Sequence, residues 1–161
     1  MVGSSVAMSF MTPERYAKTQ ASAQFLRNTK TADEFAEYYG PLDGNEKVLD
    51  IGSGSGETTV AMAQGILGNL GKPGHVVGSD LSFDMVEYCR KTHKMETLTF
   101  EKLDVTKGEE FAQNNSDSFS LVTSFWCLHW VSDHVATAQL VNKVRRKIPL
   151  HGACGSKQRD S

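Results

Sequence analysis

Short, densely apolar runs alternate along this chain with longer stretches in which apolar residues recur every three or four positions. Lys47 to Ile51 is such a run, closed by Gly52, and reads as a strand buried on both faces. Glu57 to Leu70 sets Val60, Ala63, Leu67 and Leu70 at helical spacing, so a helix is expected there, stopped by Gly71-Lys72-Pro73-Gly74. His75 to Ser79 predicts a second strand, and a second helix runs from Ser82, a suitable N-cap, to about Thr92. Leu98 to Leu103 predicts a third strand, Lys107 to Gln113 a short helix, and Asn114-Asn115-Ser116-Asp117 a turn. Phe119 to Phe125 is the fourth strand, and Ser132 opens a helix with Val135, Ala138, Val141, Val144 and Ile148 on one face.

Ahead of the first strand, Thr12-Pro13 begins a region of one or two helices that ends at Gly40-Pro41, with Leu26, Phe35, Tyr38 and Tyr39 as its apolar stripe. From Pro149 onward all periodicity is lost. The organisation is therefore a helical cap over 1–44, a ligand-binding core over 45–148 and a disordered tail over 149–161. Strands alternating with helices predict an α/β fold, a Rossmann-like doubly wound parallel sheet built from right-handed crossovers.

Composition narrows the function. At 161 residues the chain is one domain's worth of sequence, and 39% hydrophobic with 22% charged residues is an ordinary globular balance, far from that of disorder. A net charge of −2, with no basic run longer than Arg145-Arg146-Lys147, gives no footprint for a phosphate backbone, so nucleic acid is not an expected partner. No run approaches a membrane span and residues 1–11 do not read as a secretory signal, so a cytoplasmic address is expected. Cys89, Cys127 and Cys154 form no C-x-x-C pair, which suits plain thiols in a reducing compartment and no metal site.

The strongest chemical signal is Asp50-Ile51-Gly52-Ser53-Gly54-Ser55-Gly56-Glu57, at the end of the first strand and the start of the first helix. Open α/β sheets bind ligands at such a point, and glycines let the backbone turn tightly and approach a ligand closely. A dinucleotide loop is G-x-G-x-x-G; here the third glycine comes one position early and Glu57 stands in its place, where a carboxylate would compete with a pyrophosphate for the helix N-terminus. Asp50 instead suits a ligand bearing an ammonium or sulfonium. Asp80 closes the second strand 24 residues (80 − 56) beyond the last motif glycine, near the interval of an acidic residue that accepts from ribose hydroxyls. It equally suits the N-terminal end of the next helix.

This D-x-G-x-G-x-G loop resembles motif I of class I methyltransferases. The resemblance implies S-adenosylmethionine as cofactor, with Asp104 meeting the adenine amino group and the Val105 backbone N–H a ring nitrogen. It extends the cofactor set to Asp50, Gly52, Ser53, Gly54, Gly56, Asp80, Leu81, Asp104, Val105 and Ser124. The segment Ser124-Phe125-Trp126-Cys127-Leu128-His129-Trp130-Val131, with Val48-Leu49-Asp50-Ile51-Gly52-Ser53-Gly54-Ser55-Gly56 upstream, is similar to the arthropod juvenile hormone acid methyltransferase group. In that group a tryptophan of this segment and a glutamine of the N-terminal helix contact the substrate carboxylate. Trp130 aligns with the tryptophan; Gln24 is the candidate glutamine, with Gln20 the other. The substrate so implied is a small apolar carboxylic acid of farnesoic type. Such an acid is already ionised at neutral pH, so no general base is needed; His129 is the residue placed for base work on a phenol or amine, and otherwise a packed core histidine. Trp126 and Phe125 fit a pocket wall or the core.

The pattern departs from the family after the fourth helix, where Ile148-Pro149-Leu150-His151-Gly152-Ala153-Cys154 stands in place of a Leu-x-Pro-Gly-Gly turn. The expected sheet is incomplete beyond the fourth strand, which becomes an unpaired edge and a route to self-association. Three functions follow: an O-methyltransferase, a cofactor- or partner-binding fragment without turnover, and a nicotinamide-dependent oxidoreductase, which Glu57 disfavours.

Overall fold

The computed structural model describes residues 12–20 and 23–147. The expected tail over 149–161, Ile148, Cys154, and the side chains of residues 19, 20 and 23 lie outside that description. The chain runs α1 (Pro13–Gln20), α2 (Ala23–Tyr39), β1 (Leu42–Asp43), β2 (Lys47–Ile51), α3 (Glu57–Gln64), β3 (Gly71–Lys72), β4 (His75–Asp80), α4 (Phe83–Thr92), β5 (Leu98–Lys102), α5 (Glu109–Asn114), β6 (Leu121–Thr123), a single 3-10 turn (Leu128–Trp130) and α6 (His134–Val144).

Four strands form one parallel sheet in the order β5-β4-β2-β6, and β1 and β3 form a two-residue parallel pair beside it. The order runs outward from β2 in both directions, so the crevice between β2 and β6 is a topological switch point. Alternating side chains on the central strands feed two cores. Val48 and Val76 pack with Ala32, Met62, Leu67, Val86, Cys89 and Phe100 on the face covered by α2, α3 and α4. Leu49, Ile51 and Val77 pack with Leu103, Phe119, Leu140 and Val144 on the face covered by α5 and α6. Both faces of β2 are covered, which is why its sequence is an unbroken apolar run around one aspartate. Among the described residues, no helix is long and apolar enough to cross a membrane.

Several sequence expectations need correction. The helix expected over Glu57 to Leu70 ends at Gln64, where Gly65 takes a left-handed C-cap (φ 73°); Leu67 and Leu70 are still buried, but from the turn that follows. In α2 the packed positions are Phe25, Asn28, Ala32 and Phe35, while Leu26, Tyr38 and Tyr39 are exposed. Of the expected stripe only Phe35 packs on this face, whose polar member Asn28 a count of apolar residues passes over. The last helix is capped by Asp133, whose side chain accepts from the Ala136 N–H, not by Ser132. It buries Thr137, Leu140 and Val144, and leaves Val135 and Ala138 exposed. Thr137 tolerates burial because its hydroxyl donates to the Asp133 carbonyl.

The fourth strand is shorter than the expected Phe119 to Phe125, and among the described residues it is the edge of the sheet as expected. Phe119 lies ahead of β6, wholly buried, and its backbone pairs with the chain leaving α6: its N–H donates to the Val144 carbonyl and its carbonyl accepts from the Arg146 N–H. Its ring stacks on Phe111, and the Lys47 ammonium lies 4.7 Å from its centroid. Phe119→Ala should therefore destabilise the fold by about 3–5 kcal/mol, the range for emptying a buried aromatic site; urea unfolding monitored by circular dichroism measures it.

Candidate functional site

Every turn of the loop between β2 and α3 is set by a glycine in the left-handed region: Gly52 at φ 76°, Gly54 at 55° and Gly56 at 93°. Two of these positions are also close approaches. A Cβ on Gly52 would overlap the Cβ and Sγ of Cys127, and one on Gly54 would lie 3.2 Å from the Tyr16 ring. The loop is thus pressed from one side by the segment after β6 and from another by α1.

The loop is also held from below. Asp80 ends β4 with one carboxylate oxygen accepting from the Gly54 N–H and the other from the Ser82 N–H, both at 2.9 Å. The Cys89 thiol donates to the Gly54 carbonyl, and the His93 ring nitrogen Nε2 lies 2.9 Å from the Ser55 carbonyl oxygen. Asp50 is enclosed, its Oδ2 accepting from Thr59 at 2.6 Å and its Oδ1 from Thr123 at 2.9 Å. Ser124 closes the crevice by donating to the Ile51 carbonyl at 3.0 Å.

Above the loop is a small cavity of about 60 Å³, bordered by Tyr16 and Gln24 of the cap, by Ser53 and Gly54 of the loop, and by Phe125 and Trp126 beyond β6. Ser53 Oγ is buried without a hydrogen-bond partner. The electrostatics beside it are negative. Burial raises the Tyr16 pKa, and Asp80, Glu57 and Cys127 raise it further. Burial pushes the Cys89 thiol up to about 12, with Glu57 and Asp80 adding to it, and the Cys127 thiol rises by burial and by Asp80. Burial is the main cause of all three rises and disfavours charge of either sign; the Asp80 and Glu57 carboxylates, which add to them, favour a cationic ligand group over a pyrophosphate.

The structure brings together Gln24, Asp50, Gly52, Ser53, Gly54 and Trp126 at one cavity, with Asp80 bonded beneath it. Gly56 is buried at the head of α3. Leu81 is exposed, and Val105 is buried in the second core. Asp104 turns its carboxylate back on the Thr106 N–H and hydroxyl, bonds that hold its pKa below the ordinary value. His129 is exposed rather than packed, and its ring lies 4.9 Å from that of Trp130, which is half exposed. Neither borders the cavity, and Trp126 stands there instead. Sequence reasoning missed Asn28 and Thr58; no motif marks either, and only the docking of α2 reveals them. Among the described residues no group of three or more His, Cys, Asp or Glu side chains is arranged to hold a metal.

Comparison with known proteins bears on the family and the fold. A family model described as a methyltransferase domain matches residues 42–148. Juvenile hormone acid O-methyltransferase of Drosophila melanogaster is 39% identical over 103 residues, covering 63% of this chain and 33% of that protein. The enzyme of the same name from Bombyx mori is 33% identical over 88 residues, covering 55% and 30%. The chain thus spans about a third of the length of these curated relatives. A crystal structure of an S-adenosylmethionine dependent methyltransferase from Mesorhizobium loti superposes with a TM-score of 0.59 at 23% identity, covering 78% of this chain and 50% of that one, a likeness of fold.

The enclosed Asp50 generates a test in pH. Burial raises its pKa to about 6 from 3.8, with Asp80 adding to the rise and the two threonine bonds opposing it. Between those values the folded chain holds more protons than the unfolded chain, so stability falls as pH rises from about 4 to about 6. Asp50→Asn should flatten that slope in denaturant unfolding across this window; an unchanged slope would assign it to another group.

Proposed function

The chain belongs to the methyltransferase domain family, as the match over residues 42–148 requires, and from that premise we propose that it binds S-adenosylmethionine at the glycine loop and serves O-methylation of a small apolar carboxylic acid. The observation that carries the reading is the loop itself: left-handed glycines at the switch point of a parallel sheet, an orphaned Ser53 hydroxyl, and acidic groups where a dinucleotide loop would meet phosphates.

The residues present suit that cofactor. Asp80 keeps lone pairs beyond its two backbone bonds and can accept from ribose hydroxyls. Ser53 Oγ supplies an unspent donor and acceptor. The Asp80 and Glu57 carboxylates, which act on Tyr16 and Cys89, complement an ammonium and a sulfonium. When bound, the cofactor supplies a methyl group on a positive sulfur with a good leaving group. What remains for the protein is alignment, dryness and proximity. Phe125 and Trp126 border the cavity, where aromatic faces favour a cation by about 0.5–2 kcal/mol. Gln24 borders the same cavity and has a carboxamide N–H to offer a carboxylate. That nucleophile is ionised at neutral pH, so no base is asked of His129. A farnesoic-type acid is the substrate suggested by the two insect relatives.

Calorimetric titration with S-adenosylmethionine and with NADH tests the cofactor. The first should bind and the second should not; the reverse outcome would overturn the reading. Gly54→Val should abolish binding, because a branched side chain is strained at φ 55° and drives into the Tyr16 ring. Asp80→Ala should weaken binding roughly ten- to a hundred-fold, from about 1.5–3 kcal/mol for a charge-assisted bond, and equal affinity would leave Asp80 only its bonds to Gly54 and Ser82. Transfer of labelled methyl to a farnesoic-type acid, with the matching alcohol as control, tests the substrate class.

A further inference from the structure

We infer that Asn28 is a positioning residue: it fixes the Trp126 indole as a wall of the cavity and ties that wall to the helix that grows out of the glycine loop. The cofactor named in the test rests on the reading above; the tie itself is a property of the free chain.

Asn28 is 4% exposed, and its two polar atoms go to different elements. Its Oδ1 accepts from the Trp126 indole N–H at 2.8 Å, and its Nδ2 donates to Thr58 Oγ1 at 2.9 Å. A carboxamide enclosed at that depth costs free energy unless it is paired, so both bonds are a condition of α2 docking where it does. Trp126 has φ 59°, a left-handed conformation that bulky residues avoid and that persists only where the surroundings hold it. What holds it is the bond to Asn28 and the Arg27 guanidinium, 5.4 Å from the ring centroid. Asn28 and Arg27 are consecutive on α2, so one turn of helix grips the indole by its edge and by its face.

Asn28, Thr58 and Trp126 border the same cavity beside Gly52, Ser53 and Gly54. Thr58 stands two positions after Gly56, in the first turn of α3. A ligand that settles the glycine loop settles Thr58, and through Asn28 the indole. Occupancy of the loop and order in the aromatic wall are therefore one linked equilibrium, in which each favours the other.

The chain has two tryptophans, so its proton–nitrogen spectrum carries two indole N–H signals, and Trp126→Phe assigns them. In the free wild-type chain the Trp126 indole proton should be protected from exchange with water, and S-adenosylmethionine should increase that protection. Asn28→Leu, similar in size but without the bonds, should exchange this proton roughly tenfold faster and weaken S-adenosylmethionine binding by about five- to tenfold, the scale of one or two hydrogen bonds. Thr58→Val breaks only the lower bond and should lose the response of the indole to cofactor, whereas Thr58→Ser keeps an acceptor and should stay within about twofold of wild type. Should Asn28→Leu fail to fold, the Thr58 pair decides. A folded Asn28→Leu chain with wild-type indole protection would overturn the inference, as would Thr58→Ser behaving like Thr58→Val. Absence of S-adenosylmethionine binding to the wild-type chain would instead overturn the proposed function and the coupling, leaving exchange in the free chain to decide whether Asn28 holds Trp126.

Discussion

The enclosed carboxylate of Asp50 is the point from which the rest of the structure is hung. It stands near the end of the central strand with one oxygen on Thr59 of α3 and the other on Thr123 of β6, and its backbone carbonyl accepts from the Ser79 hydroxyl of β4. A single residue thus fixes where the neighbouring strands and the following helix stand relative to the glycine loop. Burying a carboxylate is costly, and two hydroxyl donors offset part of that cost; the rise of its pKa to about 6 records what they do not offset. An apolar residue would bury more cheaply there, but would leave the Thr59 hydroxyl without this acceptor and Thr123 with only the Leu49 carbonyl at 3.5 Å.

Around that anchor the loop is shaped by close approach as much as by turn geometry. Gly52 makes room for Cys127 and Gly54 makes room for Tyr16, so the glycines serve the packing of two remote segments as well as any ligand. The cap reaches the loop through Tyr16 and reaches the segment after β6 through Asn28. A cavity of about 60 Å³ is well below the roughly 300–1,000 Å³ of a typical ligand site, so a nucleoside-sized molecule must extend beyond it.

What the sequence determined by itself was the alternation of elements and the place of the loop. Lys47 to Ile51, the glycine spacing, the Ser82 cap and the acidic end of β4 all stand where local pattern puts them, because each depends on backbone conformation and near neighbours: a buried strand favours an apolar run, a left-handed turn favours glycine, and a helix start favours a short side-chain acceptor such as Ser82. Tertiary packing alone decided which faces of α2 and α6 turn inward, since a polar residue with a satisfied partner buries as readily as an apolar one. Asn28 and Thr137 both do so, displacing the stripes drawn through Leu26 and Val135. It also decided which tryptophan meets the cavity. Trp126 and Trp130 lie four residues apart in one aromatic segment and are both about half exposed, and the bond to Asn28, 98 positions earlier in the chain, holds the first of them at the cavity; no local pattern encodes a partner that distant.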